Sequence, residues 1–397
     1  MKNIILLVCL SMSVFVSCNK DPKLSFNYYK DGQYQMMSKT LNLPEKPFDY
    51  QPKLAAHLVA DFLTPSAVNS DMATLGRVIF YDKKLSKDQS IACAGCHKQE
   101  LAFSDDVALS TGVEGRQTAR NSFPLGSVAN FAAYYGTETF GSAGIPFFWD
   151  NRAGTVSEQS KATFGNPDEM GMKMSDVTDM INKLDYYGPL FSTAFGSTYV
   201  SEEKVLQALT HFINSLMSCD SKFDKAANKL FPGGNGSFFD YENIMSNNSF
   251  SSFTQSENKG KQIYVNKCAS CHTVGFGRPI LVKANNGLDV VYTDNGIGKI
   301  TGHQAENGLF KVPTLRNIAL TGPYMHDGRF SSLEEVVEHY STGIKNHPNL
   351  SQQLKSNGQP KLMNLSIQDK QDLIAFLNTL TDVNFVQQAK FSDPFKQ

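Results

Sequence analysis

The clearest helical period in the chain lies between Ser201 and Cys219, where Val205, Leu209, Phe212, Ile213 and Leu216 recur at the spacing that places apolar side chains on one face. His211 falls off that stripe and is expected to be solvated. The segment Gln255 to Cys271 predicts a second helix. A third starts at Ser366, with Asp369 three residues on as a near capping box and Leu373, Phe376, Leu377 and Leu380 as its buried stripe. A shorter helix opens at Ser332 with Glu335, and Leu333, Val336, Val337 and Tyr340 share one of its faces. At about 3.6 residues per turn, His339 falls more than about 90° from that face and is expected to be exposed. Strand signals are sparse and short, so the class is mainly α with long loops.

Punctuation divides the chain. Met1, Lys2 and Asn3 precede the apolar run Ile4 to Val16, a positive start and short apolar core expected of an export signal. A membrane span needs about 20 apolar residues, and Asn19, Lys20 and Asp21 stop this run first. The signal reads Phe15, Val16, Ser17, Cys18, so residues 1–18 are expected to leave Cys18 as a lipidated terminus, with plain cleavage near Ser17 as the alternative. Residues 19–56, punctuated by Pro22, Pro44, Pro47 and Pro52, read as a tether and strap. A first domain is expected over 57–225, a Gly/Ser/Asn-rich linker or surface loop over 226–254, and a second domain over 255–385.

Charge narrows the partners. With 37 basic and 38 acidic residues, nothing advertises a surface for nucleic acid. Of the seven cysteines, Cys9 leaves with the signal, Cys18 is the lipid candidate, four form two C-x-x-C pairs, and Cys219 remains. That count excludes a disulfide scaffold.

The two pairs carry the chemistry. They read CAGCH over Cys93, Cys96 and His97, and CASCH over Cys268, Cys271 and His272. Cysteines three apart on one turn bond the two vinyl groups of a haem, and the following imidazole reaches the iron. A zinc ribbon spaces its pairs about 15 to 20 residues apart, unlike these, and a thioredoxin-like site needs a βαβ context that the sequence lacks. Two covalent haems are therefore expected, in an exported and hence periplasmic, membrane-tethered protein. Sixth ligands decide what each does. The chain has no histidine between His97 and His211, so the first iron is expected to stand open unless Met170, Met172 or Met174 closes it. Tyr340 faces inward near the second, either as a core tyrosine or as a ligand.

Over about residues 70 to 382 the chain resembles the bacterial di-haem cytochrome c peroxidase superfamily, including its MauG branch. The resemblance runs through LGRVIFYDKKLS, RNS at Arg120 to Ser122, FFWDNRA at Phe147 to Ala153, NPDEMGM at Asn166 to Met172, and VPTLRNIALTGPYMHDGRF at Val312 to Phe330. It implies two cytochrome-c-like domains, each with one haem. It also implies Trp149 as an electron relay, Glu169 as the distal carboxylate that moves protons on peroxide, and Gln159 as a distal amide. Asn121 with the carbonyls of Thr321 and Pro323 matches a calcium site, and His326 matches a residue near the second haem. Peroxidases needing prior reduction carry a distal histidine where this chain has Val113, and a methionine ligand where it has Tyr340. Both departures resemble MauG, with Met325 or Met363 as other ligands for the second iron. The implied activity is reduction of hydrogen peroxide with electrons from a small cytochrome or cupredoxin. The alternatives are a MauG-like oxidase of a protein or organic molecule and a non-catalytic electron-transfer cytochrome. A homodimer is left open beside a monomer.

Overall fold

The computed structural model describes residues 28–30, 32–58, 67–126, 146–230, 245–272 and 281–396. The expected signal, Cys18 and residues 231–244 of the expected linker lie outside them. Among the described residues no helix is long and apolar enough to cross a membrane.

The first core is organised by the Ser70–Tyr81 helix crossing the Glu202–Ser215 helix. Asn69 starts the former by accepting from the backbone N–H groups of Asp71 and Met72, and Ser201 caps the latter. The crossing is made at Gly76, where a Cβ would stand 2.0 Å from the Ala208 carbonyl oxygen. The second core repeats the device. There the Gln255–Lys267 helix crosses the Ile367–Asn378 helix at Gly260, where a Cβ would stand 1.8 Å from the Asp372 carbonyl oxygen. Both of these helices carry full capping boxes, Thr254 with Glu257 and Ser366 with Asp369. In each body the helix that crosses at glycine leads into a C-x-x-C-H segment, so the close backbone approach sets where the motif lies.

Several expectations need adjustment. The Glu202–Ser215 helix stops short of Cys219, and the Gln255–Lys267 helix ends with Cys268 as its C-cap. His211 is half-buried rather than solvated, because its Nδ1 accepts the Asn69 backbone N–H at 3.2 Å. His339 is only 6% exposed, not the exposed residue expected. Its helix is α over Leu333–Glu338 and then widens to a π-turn over His339–Gly343, so the 3.6-residue wheel fails there. The His339 Nε2 meets the Asn286 carbonyl at 3.0 Å. The strap contributes more than a tether, since Tyr29, Met37, Leu41, Leu43 and Tyr50 enter the first core.

The tail returns to the same core through Phe385 and Phe391, and Arg77 Nε donates to the Ser392 carbonyl at 2.6 Å. Where the two bodies adjoin, Arg316 pairs with Asp224 through two bonds of 2.9 Å, and His57 Nε2 lies 2.8 Å from the same carboxylate. Burial opposes that carboxylate, but Arg316 and His57 hold its pKa well below the usual range. Strands are few: Lys283–Ala284 pairs antiparallel with Phe310–Lys311, and Lys355–Ser356 with Gln359–Pro360.

Candidate active site

The short Cys93–Cys96 helix presents both thiols and His97 to a cavity of about 400 Å³. His97 Nδ1 lies 2.9 Å from the Phe103 carbonyl, an acceptor, so Nδ1 carries the proton and Nε2 keeps its lone pair. Ser122 Oγ stands 3.2 Å from the same Nδ1 while donating to the Cys96 carbonyl at 2.6 Å. The second motif is built alike. Cys268, Cys271 and His272 line a smaller cavity of about 180 Å³, and His272 Nδ1 lies 2.9 Å from the Pro313 carbonyl. Burial lowers the pKa of both imidazoles, which favours the neutral form a metal needs. Each cavity thus pairs two thiols with one imidazole whose Nε2 is free to ligate, which fits a haem held by two thioether bonds and a proximal histidine. Among the described residues no three or more His, Cys, Asp or Glu side chains gather as a metal-binding group.

The Val156–Gly165 helix and the loop after it supply further wall to the first cavity. Gln159, Thr163, Asn166, Glu169 and Met170 all line it, whereas Met172 and Met174 belong to the packed core. Glu169 accepts from Asn166 Nδ2 at 2.6 Å, and Gln159 Nε2 donates to Thr163 Oγ1 at 3.3 Å. Burial raises the Glu169 pKa, against hydrogen bonds from Asn166 and Thr163 and the charge of Arg152. Val113, fully buried, donates its N–H to the Glu169 carbonyl at 2.9 Å, so the residue at the histidine position pins the carboxylate's backbone. Asp168 faces outward, 3.7 Å from Arg116. The contributions of Arg152, Thr163 and Asn166 were missed in the sequence, although all three lie in or beside the quoted motifs.

Trp149 and Asn121 line both cavities. The Trp149 ring meets Phe123 edge to face at 4.9 Å. Its loop is held firmly: Phe148 and Asn151 take positive φ of 66° and 58°, and Arg120 bridges Asp150 at 2.5 Å to Asp294 at 2.6 Å. In the second cavity Tyr340, Met325 and Met363 are all lining residues. Asn286 Nδ2 lies 3.5 Å from the Tyr340 hydroxyl and 3.4 Å from the Met325 sulfur, so both groups converge. Burial pushes the Tyr340 phenol up to about 12. His326 lines the same cavity and stacks on Phe310 at 3.8 Å. Thr321 and Pro323 lie along it with Asn121, whose Nδ2 donates to the Val107 and Ala108 carbonyls.

Two histidine-bearing C-x-x-C-H cavities joined across one tryptophan define a c-type protein with two covalent haems, mainly α in fold. Residues 70–230 match the model of the di-haem cytochrome c peroxidase family, and residues 257–381 match that of cytochrome c. The chain is 32% identical over 340 residues to the methylamine utilization protein MauG of Methylorubrum extorquens, covering 83% of this chain and 82% of that protein. It is 30% identical over 274 residues to the cytochrome c551 peroxidase of Nitrosomonas europaea, covering 68% and 72%. A crystal structure of a MauG-like protein associated with microbial copper homeostasis superposes with a TM-score of 0.66 at 28% identity, covering 87% and 98%. The chain belongs to the di-haem cytochrome c peroxidase and MauG family, and it is an oxidoreductase that acts on peroxide.

Proposed function

We propose that the first cavity reduces hydrogen peroxide and that the second receives the electrons, supplied by a small cytochrome or cupredoxin. The observation that carries this is the asymmetry of the cavities. The first is more than twice the volume of the second and is lined by the Glu169 carboxyl, the Gln159 amide and Met170, whereas the second is lined by the Tyr340 phenol with Met325 and Met363. A haem held by Cys93, Cys96 and His97 would supply the redox chemistry that peroxide reduction needs. Glu169 moves a proton between the two peroxide oxygens, and Asn166 and Thr163 hold its carboxyl in place. Gln159 orients the substrate. Trp149 passes electrons across the gap that it lines on both sides. The reaction balances as one peroxide, two electrons and two protons giving two waters.

Of the residues that line the second cavity, Tyr340 is the one that would hold the iron of a haem bound there, with Met325 and Met363 as the other candidates. A phenolate lowers a haem potential where a thioether raises it. That feature supports a second reading, in which the two electrons that reduce peroxide are drawn from a protein or organic molecule, which is thereby oxidised, rather than from a small donor. Asn121, Thr321 and Pro323 are assigned to calcium, whose preference is for oxygen ligands. Covalent haem attachment supports a periplasmic location, and Cys18 supports a lipid tether. Steady-state assay with peroxide and a reduced cytochrome tests the main reading: turnover of about 1 s⁻¹ or faster supports it. Turnover orders of magnitude slower, together with oxidation of an added protein, supports the second. Two low-spin haems in the oxidised protein with no turnover would leave only electron transfer.

A further inference from the structure

Lys311 lies on the Phe310–Lys311 strand and is 3% exposed. Its backbone N–H donates to the Trp149 carbonyl at 2.8 Å, and its Nζ donates to the Pro146 carbonyl at 2.7 Å. One residue therefore grips the Trp149 segment at two points. The Nζ stands 5.8 Å from the centre of the Phe123 ring, which itself meets the indole, and 5.9 Å from that of Phe147. Lys311 also lines both haem cavities. Burying an amine costs free energy, which the bond to the Pro146 carbonyl offsets.

We propose that the Lys311 amine, clamped on the Trp149 segment between the two cavities, tunes the reduction potentials of the haem pair and couples them to pH. Burial draws this amine down to about 7, so it exchanges its proton near neutrality. A nearby ammonium stabilises an added electron and opposes an electron hole on the indole. Potentials are therefore highest while the amine is charged and fall as rising pH discharges it. Low pH favours electron arrival, and high pH favours an oxidised relay.

Other charged groups face the same space. In the first cavity, Arg120 is held charged by Asp150 and Asp294, Arg152 pairs with Asp150, and Glu169 and Lys299 also line the wall. In the second, Lys267, His272, His326 and Tyr340 line the wall. The pH response assigned to Lys311 is therefore the part that disappears when Lys311 alone is changed.

The experiment is a spectroelectrochemical titration of both haems in the holoprotein, from about pH 5.5 to about pH 9, spanning the amine's range. The wild-type potentials are expected to fall through a step near neutrality. Lys311→Met should lie at the lower level across that window with the step lost. Lys311→Arg should keep the upper level past the pH at which wild type falls. A Lys311→Met profile that parallels wild type overturns the proposal. If that variant does not fold, a Lys311→Arg profile that falls together with wild type overturns it equally. The proposal builds on Trp149 as relay, but the haem potentials report Lys311 even if Trp149→Phe leaves transfer between the haems unchanged, so the two ideas fail separately.

Discussion

The indole Nε1 of Trp149 donates to the backbone carbonyl of Asn121 at 2.9 Å, across a sequence separation of 28 residues. Asn121 is also the proposed cation ligand and, through its N–H, a partner of the His326 carbonyl at 2.8 Å. Ring orientation, cation site and second cavity are therefore mechanically linked through one asparagine. Trp149→Phe removes that bond and the larger π system while keeping an aromatic core. Electron transfer between the haems should slow by about tenfold or more, equivalent to about 1.4 kcal/mol of barrier, in stopped-flow reduction. Calcium affinity should fall in the same variant, measured by calorimetry.

Glu169, the proposed proton carrier, has its pKa raised by burial. A raised carboxyl holds its proton to higher pH than a free glutamate, so a step needing the carboxylate as base gains rate as pH rises through the elevated value. The acid limb of kcat/KM should therefore lie above the ordinary glutamate range. Glu169→Gln should lower kcat/KM by about 10² to 10⁴ and abolish that limb while the resting haem spectra stay unchanged. An unchanged limb would assign it to another group.

Tyr340 and Met325 converge on one amide, Asn286, so the ligand assignment has a direct spectroscopic test. In Tyr340→Phe the low-spin electron paramagnetic resonance signal of the second haem should change while the first haem's signal persists. The same variant should raise the potential of the second haem if Met325 or Met363 takes over, because a thioether favours the reduced iron. An unaltered low-spin signal would remove Tyr340 from the iron.

Gly76 and Gly260 allow the two helix crossings. Adding one methyl at either forces it into a backbone carbonyl, at 2.0 Å and 1.8 Å respectively, and a backbone cannot rotate away as a side chain can. Gly76→Ala and Gly260→Ala should each destabilise the holoprotein by about 3 kcal/mol, the upper part of the usual range for overpacking. Denaturant titration should show a lower midpoint with an unchanged slope.

The sequence by itself determined the chemistry that lies in consecutive residues. Two C-x-x-C-H segments declare covalent haem because thiol spacing and the following imidazole are local properties. The Ser366 and Ser332 capping boxes are local in the same sense and both form, and the apolar stripe after Ser366 is buried as its period predicts. Tertiary structure decided whatever depends on a partner distant in the chain. His339 was turned inward by a π-turn and by the Asn286 carbonyl 53 residues away. His211 acquired a partner 142 residues away at a helix start. Lys311 looks in the sequence like an ordinary basic residue two positions before a proline. Its burial against the Trp149 segment, 162 positions earlier by their numbering, is invisible until the two bodies pack together. A sequence period reports which face of an element is apolar, whereas the charge and ligation state of a buried group depend on what the rest of the chain folds against it.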